Sequence, residues 1–110
     1  FVGNLVLGEP ALITKWQAIW DARDRSSVAY PAQTLLARED ISHRLGQIRC
    51  PVLLIHGEDD QAITLDKAQL IEAALPDCRG LVRVAGAGHA PNMTHPDIVN
   101  AAIEKFLSGL

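Results

Sequence analysis

Val52-Leu53-Leu54-Ile55 is an uninterrupted apolar run that stops abruptly at His56-Gly57-Glu58-Asp59-Asp60. Leu81-Val82-Arg83-Val84 stops in the same way at Ala85-Gly86-Ala87-Gly88-His89-Ala90-Pro91-Asn92. Short β-branched and leucine-rich runs bounded by glycine turns read as buried strands. The intervening residues 64–75 read as a helix, with Thr64 as its cap, Ala68, Ile71, Ala74 and Leu75 on one face, and Pro76 and Gly80 closing it off. Strand, helix and strand make a βαβ unit with parallel strands, so Asp60 and His89 are both released at the carboxyl edge of one sheet. A carboxylate and an imidazole can meet there.

Working outward, the last helix is expected from Thr94 onward. Thr94 and Asp97 resemble a capping box with Pro96 in the first turn, and Val99, Ala102, Ile103, Phe106 and Leu110 form the buried stripe. Upstream, residues 9–23 read as an amphipathic helix carrying Leu12, Trp16, Ile19 and Trp20. Residues 23–27 read as a polar loop. Residues 30–38 read as a second helix with Leu35 and Leu36 inward, and residues 41–45 as a short helical turn after Asp40. Pro51 suits the first position of a strand, where no ladder donor is needed. The composition changes near Gly46, from helices to a βαβα module.

With 48% hydrophobic and 21% charged residues and a net charge of −3, the chain has the composition of a soluble globular protein. Its scattered Lys and Arg form no basic stripe, so nucleic acid is not an expected partner. No apolar stretch approaches the ~20 residues of a membrane span, and no signal-peptide pattern opens the chain. Cys50 and Cys78 are too few for a disulfide framework and lack metal-knuckle spacing, which points to reduced thiols and the cytoplasm. The histidines show none of the close pairing of a zinc site, and no metal or other cofactor is expected. A parallel sheet of two strands leaves both edges open, so the unit is expected to be an incomplete domain. Phe1 in place of an initiator Met fits a piece of a longer coding region.

From about Glu39 to Leu110, the segments Pro51-Val52-Leu53-Leu54-Ile55-His56-Gly57-Glu58-Asp59-Asp60 and Gly86-Ala87-Gly88-His89-Ala90-Pro91-Asn92 resemble the carboxyl-terminal part of an α/β-hydrolase. Residues 38–48 are similar to the lid exit of enol-lactonase-like and haloperoxidase-like members. The resemblance implies an α/β fold in which residues 1–46 are a helical lid remnant and residues 47–110 the carboxyl-terminal βαβα core segment. In that family the triad runs nucleophile, acid, histidine along the chain. The acid stands three residues after the strand-ending glycine, which selects Asp60 over Glu58 and Asp59, and His89 takes the place of the base. Alone, each loop reads as a polar turn; the ordered pair is what carries the reading.

Ser26, Ser27, Ser42 and Ser108 lack the Gly-x-Ser-x-Gly setting, and Cys50 and Cys78 are expected at the opposite sheet edge. The nucleophile is therefore expected upstream of Phe1, and the chain alone is expected to be inactive. The implied function is the acid and base portion of a carboxyl-ester or lactone hydrolase. Trp16, Trp20 and Tyr30 read first as packing, with lining of an acyl or lactone pocket as the alternative that the lid resemblance opens. Two other functions stay open: a non-catalytic module that associates through its open strand edges, and an epoxide hydrolase or dehalogenase with an upstream Asp nucleophile. His43, His56 and His95 receive no catalytic role, His56 being expected to satisfy itself on a backbone carbonyl.

Overall fold

The computed structural model describes Gly3 and residues 8–110. Helix α1 covers Pro10–Asp21, a 3-10 turn covers Arg25–Val28 and α2 covers Ala29–Leu36. A second 3-10 turn, Ser42–Gln47, leads into β1, Val52–Gly57. Then follow α3 (Leu65–Ala74), β2 (Cys78–Val84), the single turn α4 (Pro91–Thr94) and α5 (Pro96–Ser108). The chain thus folds as an α/β unit built on a small two-stranded parallel sheet.

The strands pair from Val52 with Cys78 to Gly57 with Val84. Between these ends Val52 pairs with Cys78 but Leu54 with Leu81, so β2 carries one extra residue there. Gly80 lies in that irregular stretch with φ of +135°, backbone that other residues rarely adopt. Its expected role as a helix terminator is corrected accordingly: it is a strand glycine, and β2 begins three residues earlier than the apolar run suggests.

The core is small. Val84, Ala87 and Val99 are buried together, with Ile55 and Val82 packed against them, and Ala68 of α3 and Leu75 just after it are buried as well. Burying a valine or leucine side chain contributes about 1.5–3 kcal/mol, so this cluster anchors the end of the sheet from which the two loops emerge. The expected stripes are only partly covered. Val99 is buried and Ala102 and Phe106 half-buried, but Ile71, Ile103 and Leu110 are exposed. Leu35 and Leu36, expected inward, are 56% and 85% exposed. The sequence pattern is amphipathic, but no described element packs over that face of α2.

The expected capping box does not form. Pro91 starts a helical turn of its own, and the Thr94 hydroxyl donates back to the Ala90 carbonyl at 3.3 Å. His95 becomes the cap residue of α5, with no side-chain capping bond. Thr64 does precede α3, although its hydroxyl is spent on Asp66 rather than on a backbone N–H. Asp40 accepts from the Ser42 N–H at 2.8 Å, but the cap residue of that turn is Ile41 rather than the expected Asp40. No described helix is long and apolar enough to cross a membrane.

Candidate active site

Gly57 decides how the two loops meet. A Cβ at this position would lie 2.2 Å from the Gly88 carbonyl oxygen and 2.3 Å from that of Ala87. Only the missing side chain lets the histidine loop fold onto the end of β1. Backbone bonds then lace the two loops together, with the Glu58 N–H donating to Val84 O at 3.0 Å and the Asp59 N–H to Ala87 O at 2.9 Å. Gly86, with φ of +72°, turns the chain into the second loop.

Within this frame Asp60 is buried, at 6% exposure, and each of its oxygens has a distinct partner. Oδ1 accepts from the Ala62 and Ile63 N–H groups, both at 2.9 Å. Oδ2 accepts from His89 Nδ1–H at 2.8 Å, a contact spanning 29 positions of sequence. Burial, the largest single influence, opposes ionisation of Asp60. The hydrogen bonds from Ile63, His89 and Ala62, with the attraction of His89, outweigh it and hold the carboxyl below its ordinary value. Since an ionised carboxylate only accepts, His89 carries its hydrogen on Nδ1 in this arrangement, which leaves Nε2 with the lone pair. The His89 side chain is 40% exposed, so that nitrogen belongs to a ring that solvent or substrate can approach.

His56 behaves as a strand-end histidine satisfied by a carbonyl, with Nε2 2.9 Å from Ile63 O. The same nitrogen is 3.5 Å from Asp60 Oδ2, a proximity that strand spacing alone does not signal. His95 binds the Thr94 hydroxyl through Nδ1 at 2.8 Å, and His43 sits in the exposed 3-10 turn Ser42–Gln47. A cleft lined by Glu9, Pro10, Asp59, Gly86, Gly88 and His95 runs beside both loops.

The tryptophans pack against each other on α1. Trp16 and Trp20 stack at a tilt of 40° with centroids 6.3 Å apart. Trp20 faces a hollow lined by Asp21, Arg23, Asp24, Arg25 and Val28, which includes neither Asp60 nor His89. The hydroxyls of Ser26, Ser27, Ser42 and Ser108 bond to Asp24, the Asp24 carbonyl, Asp40 and the Glu104 carbonyl. Cys78 opens β2 and Cys50 precedes β1, both at the sheet edge opposite His89. Among the described residues, no three His, Cys, Asp or Glu side chains gather to hold a metal ion.

Chemically, a buried carboxylate fixing one face of an accessible imidazole can act as a general-base unit. Comparison with known proteins bears on the family and the fold. Residues 1–102 match the alpha/beta hydrolase family. The chain is 41% identical over 75 residues to RutD, a carbamate hydrolase by name, of Escherichia coli O17:K52:H18 (strain UMN026 / ExPEC). It is 40% identical over 75 residues to RutD of Escherichia coli strain K12 / DH10B. These matches cover 68% of this chain and 26% and 28% of the two relatives, so the chain spans about a quarter of their length. Among solved structures it is similar to MGS-MChE2, an alpha/beta hydrolase enzyme from the metagenome of sediments from the lagoon of Mar Chica, Morocco. That likeness has a TM-score of 0.61 at 24% identity, covers 64% of this chain and 32% of the other, and bears on the fold.

Proposed function

Because this chain belongs to the alpha/beta hydrolase family, we propose that it supplies the acid, Asp60, and the base, His89, of a nucleophile–His–Asp triad. The nucleophile comes from outside these residues. The reaction is acyl transfer from a carboxyl ester or lactone, without a cofactor. His89 Nε2 takes the proton of the attacking hydroxyl as its oxygen bonds to the substrate carbonyl carbon, and returns it to the leaving oxygen as the tetrahedral intermediate collapses. Water then repeats the sequence on the acyl-enzyme. Asp60 keeps the ring in the tautomer that leaves Nε2 basic and stabilises the imidazolium that forms. The RutD likeness extends the substrate range to carbamates, whose carbonyl carbon is open to the same attack.

The observation that carries this reading is the 2.8 Å bond between His89 Nδ1 and the buried Asp60 carboxylate. The free thiols Cys50 and Cys78 accord with a cytoplasmic setting. The exposed apolar side of α2 favours one second reading, an assembly module in which the pair is inert. One experiment separates the two. In the polypeptide or polypeptide pair that completes the domain, turnover of a short-chain p-nitrophenyl ester is measured for wild type and His89→Ala. A loss of about 10³-fold or more supports the hydrolase; unchanged turnover, or none in wild type against esters, lactones and carbamates, supports the module.

A further inference from the structure

The acid loop has an anchor that the acid–base chemistry does not use directly. Asp60 Oδ2 can face His89 only while Oδ1 is held by the Ala62 and Ile63 N–H groups, because those two bonds fix the plane of the carboxylate. Ile63 is the far end of that loop, and it is 46% exposed, so packing does little to hold it. What ties it down is polar on both sides. Its N–H donates to Asp60 Oδ1 at 2.9 Å, while its carbonyl accepts from His56 Nε2–H at 2.9 Å. A carbonyl can only accept, so His56 carries its hydrogen on Nε2, and that hydrogen lies on the side of the ring facing Asp60 Oδ2, 3.5 Å from the nitrogen.

We propose that His56 is a positioning residue for the Asp60–His89 pair: from the end of β1 it clamps the Ile63 peptide and so holds the Asp60 carboxylate in the orientation that keeps His89 protonated on Nδ1. The proposal rests on reading Asp60 and His89 as acid and base, and it assigns His56 no contact with substrate. A histidine that merely filled space beside the loop would be replaceable by any polar side chain of tolerable size. A clamp requires reach. Glutamine places an amide N–H near the position of the histidine Nε2, whereas asparagine stops short of the Ile63 carbonyl.

The test uses the polypeptide or polypeptide pair that completes the domain, with these 110 residues labelled with ¹⁵N, as wild type, His56→Gln and His56→Asn. Long-range ¹H–¹⁵N correlation at about pH 8.5, where imidazole is neutral, reads which nitrogen of His89 bears hydrogen. Amide exchange of Ala62, Ile63 and Val84 is followed in the same samples. Wild type and His56→Gln are expected to hold His89 in the Nδ1–H form. In His56→Asn the Nδ1–H to Nε2–H ratio should fall about threefold to tenfold, the usual worth of one net hydrogen bond. Exchange at Ala62 and Ile63 should quicken while Val84 stays protected. An unchanged ratio in His56→Asn overturns the proposal, as does an equal fall in both variants or a wild type that does not favour Nδ1–H. Uniform quickening that includes Val84 also overturns it, since His56 would then be holding the fold rather than the loop. None of these readouts depends on turnover, so a hydrolase reading that fails with His89→Ala is distinguishable from a clamp that fails here.

Discussion

Asp60 is charged in a place where burial works against charge, and it is the bonds around it that keep it ionised. Replacing it by Asn removes that charge at nearly constant shape. The Asn carbonyl oxygen can still accept from Ala62 and Ile63, but its NH₂ then faces His89 Nδ1, which must turn acceptor and move its hydrogen to Nε2. In the completed hydrolase, Asp60→Asn is expected to reduce turnover by about 10³–10⁴-fold, because the base is then in the wrong tautomer. The same change tests stability. A carboxyl held below its ordinary value favours the folded state above the unfolded pKa, and that contribution disappears as pH falls through the lower folded value. Urea unfolding of wild type and Asp60→Asn should therefore differ by about 1.5–3 kcal/mol at pH 7, and the difference should begin to shrink below about pH 4 and vanish below the lower folded value. A gap that persisted undiminished into that acid range would show that the lost stability is not that of an ionised carboxylate.

The site is assembled by the close approach of the β1 end to the loop after β2, and Gly57 is where that approach is tightest. A methyl group there meets two backbone carbonyl oxygens that cannot rotate away. Gly57→Ala is expected to destabilise the chain by about 1–3 kcal/mol and to lengthen the His89–Asp60 contact, read as loss of the Nδ1–H form of His89 in the same ¹H–¹⁵N spectrum. Unchanged stability and tautomer would mean that the loops separate without cost. Much of this was legible in the sequence. The apolar runs gave both strands, the residues between them gave α3, and the glycine turns put Asp60 and His89 at one edge. The extent of β2 was not legible, because Cys78-Arg79-Gly80 has no strand pattern and is extended only by pairing with β1. Thr94 misled because Pro91, a good first helical residue, starts a turn before it and occupies its hydroxyl. The His56–Ile63–Asp60 linkage runs through a backbone carbonyl, and side-chain spacing carries no trace of such a bond.

At the scale of the molecule, the chain shows more surface than a compact monomer of its length. The accessible area is 8117 Å², against about 6,000 Å² for a compact monomer of this length. The Cα radius of gyration is 16.1 Å, where about 13 Å is usual. The difference in area, on the order of 2,000 Å², is what an obligate interface buries. It includes leucines and isoleucines such as Leu36, Ile41 and Leu107, and each strand of the sheet has one unpaired edge among the described residues. Either the remainder of a hydrolase domain or a second copy of this chain would cover such surface, and the two make different demands. Self-pairing satisfies edges but leaves His89 without a nucleophile; a complementing segment can satisfy both. The isolated chain is therefore expected to bind ANS and to sediment as concentration-dependent oligomers at micromolar levels. Leu35→Glu with Leu36→Glu, on the exposed side of α2, should shift that equilibrium toward monomer by about tenfold or more in dissociation constant, since removing two leucines from an interface costs at least the ~1.4 kcal/mol that corresponds to one decade. A chain that sediments as a monomer across the range without ANS binding would show that this surface is stable in water and needs no partner. If the chain does associate, adding the amino-terminal portion of a relative should dissolve the oligomers into a one-to-one complex, and ester turnover that appears only in that complex would tie the open surface to the chemistry of Asp60 and His89.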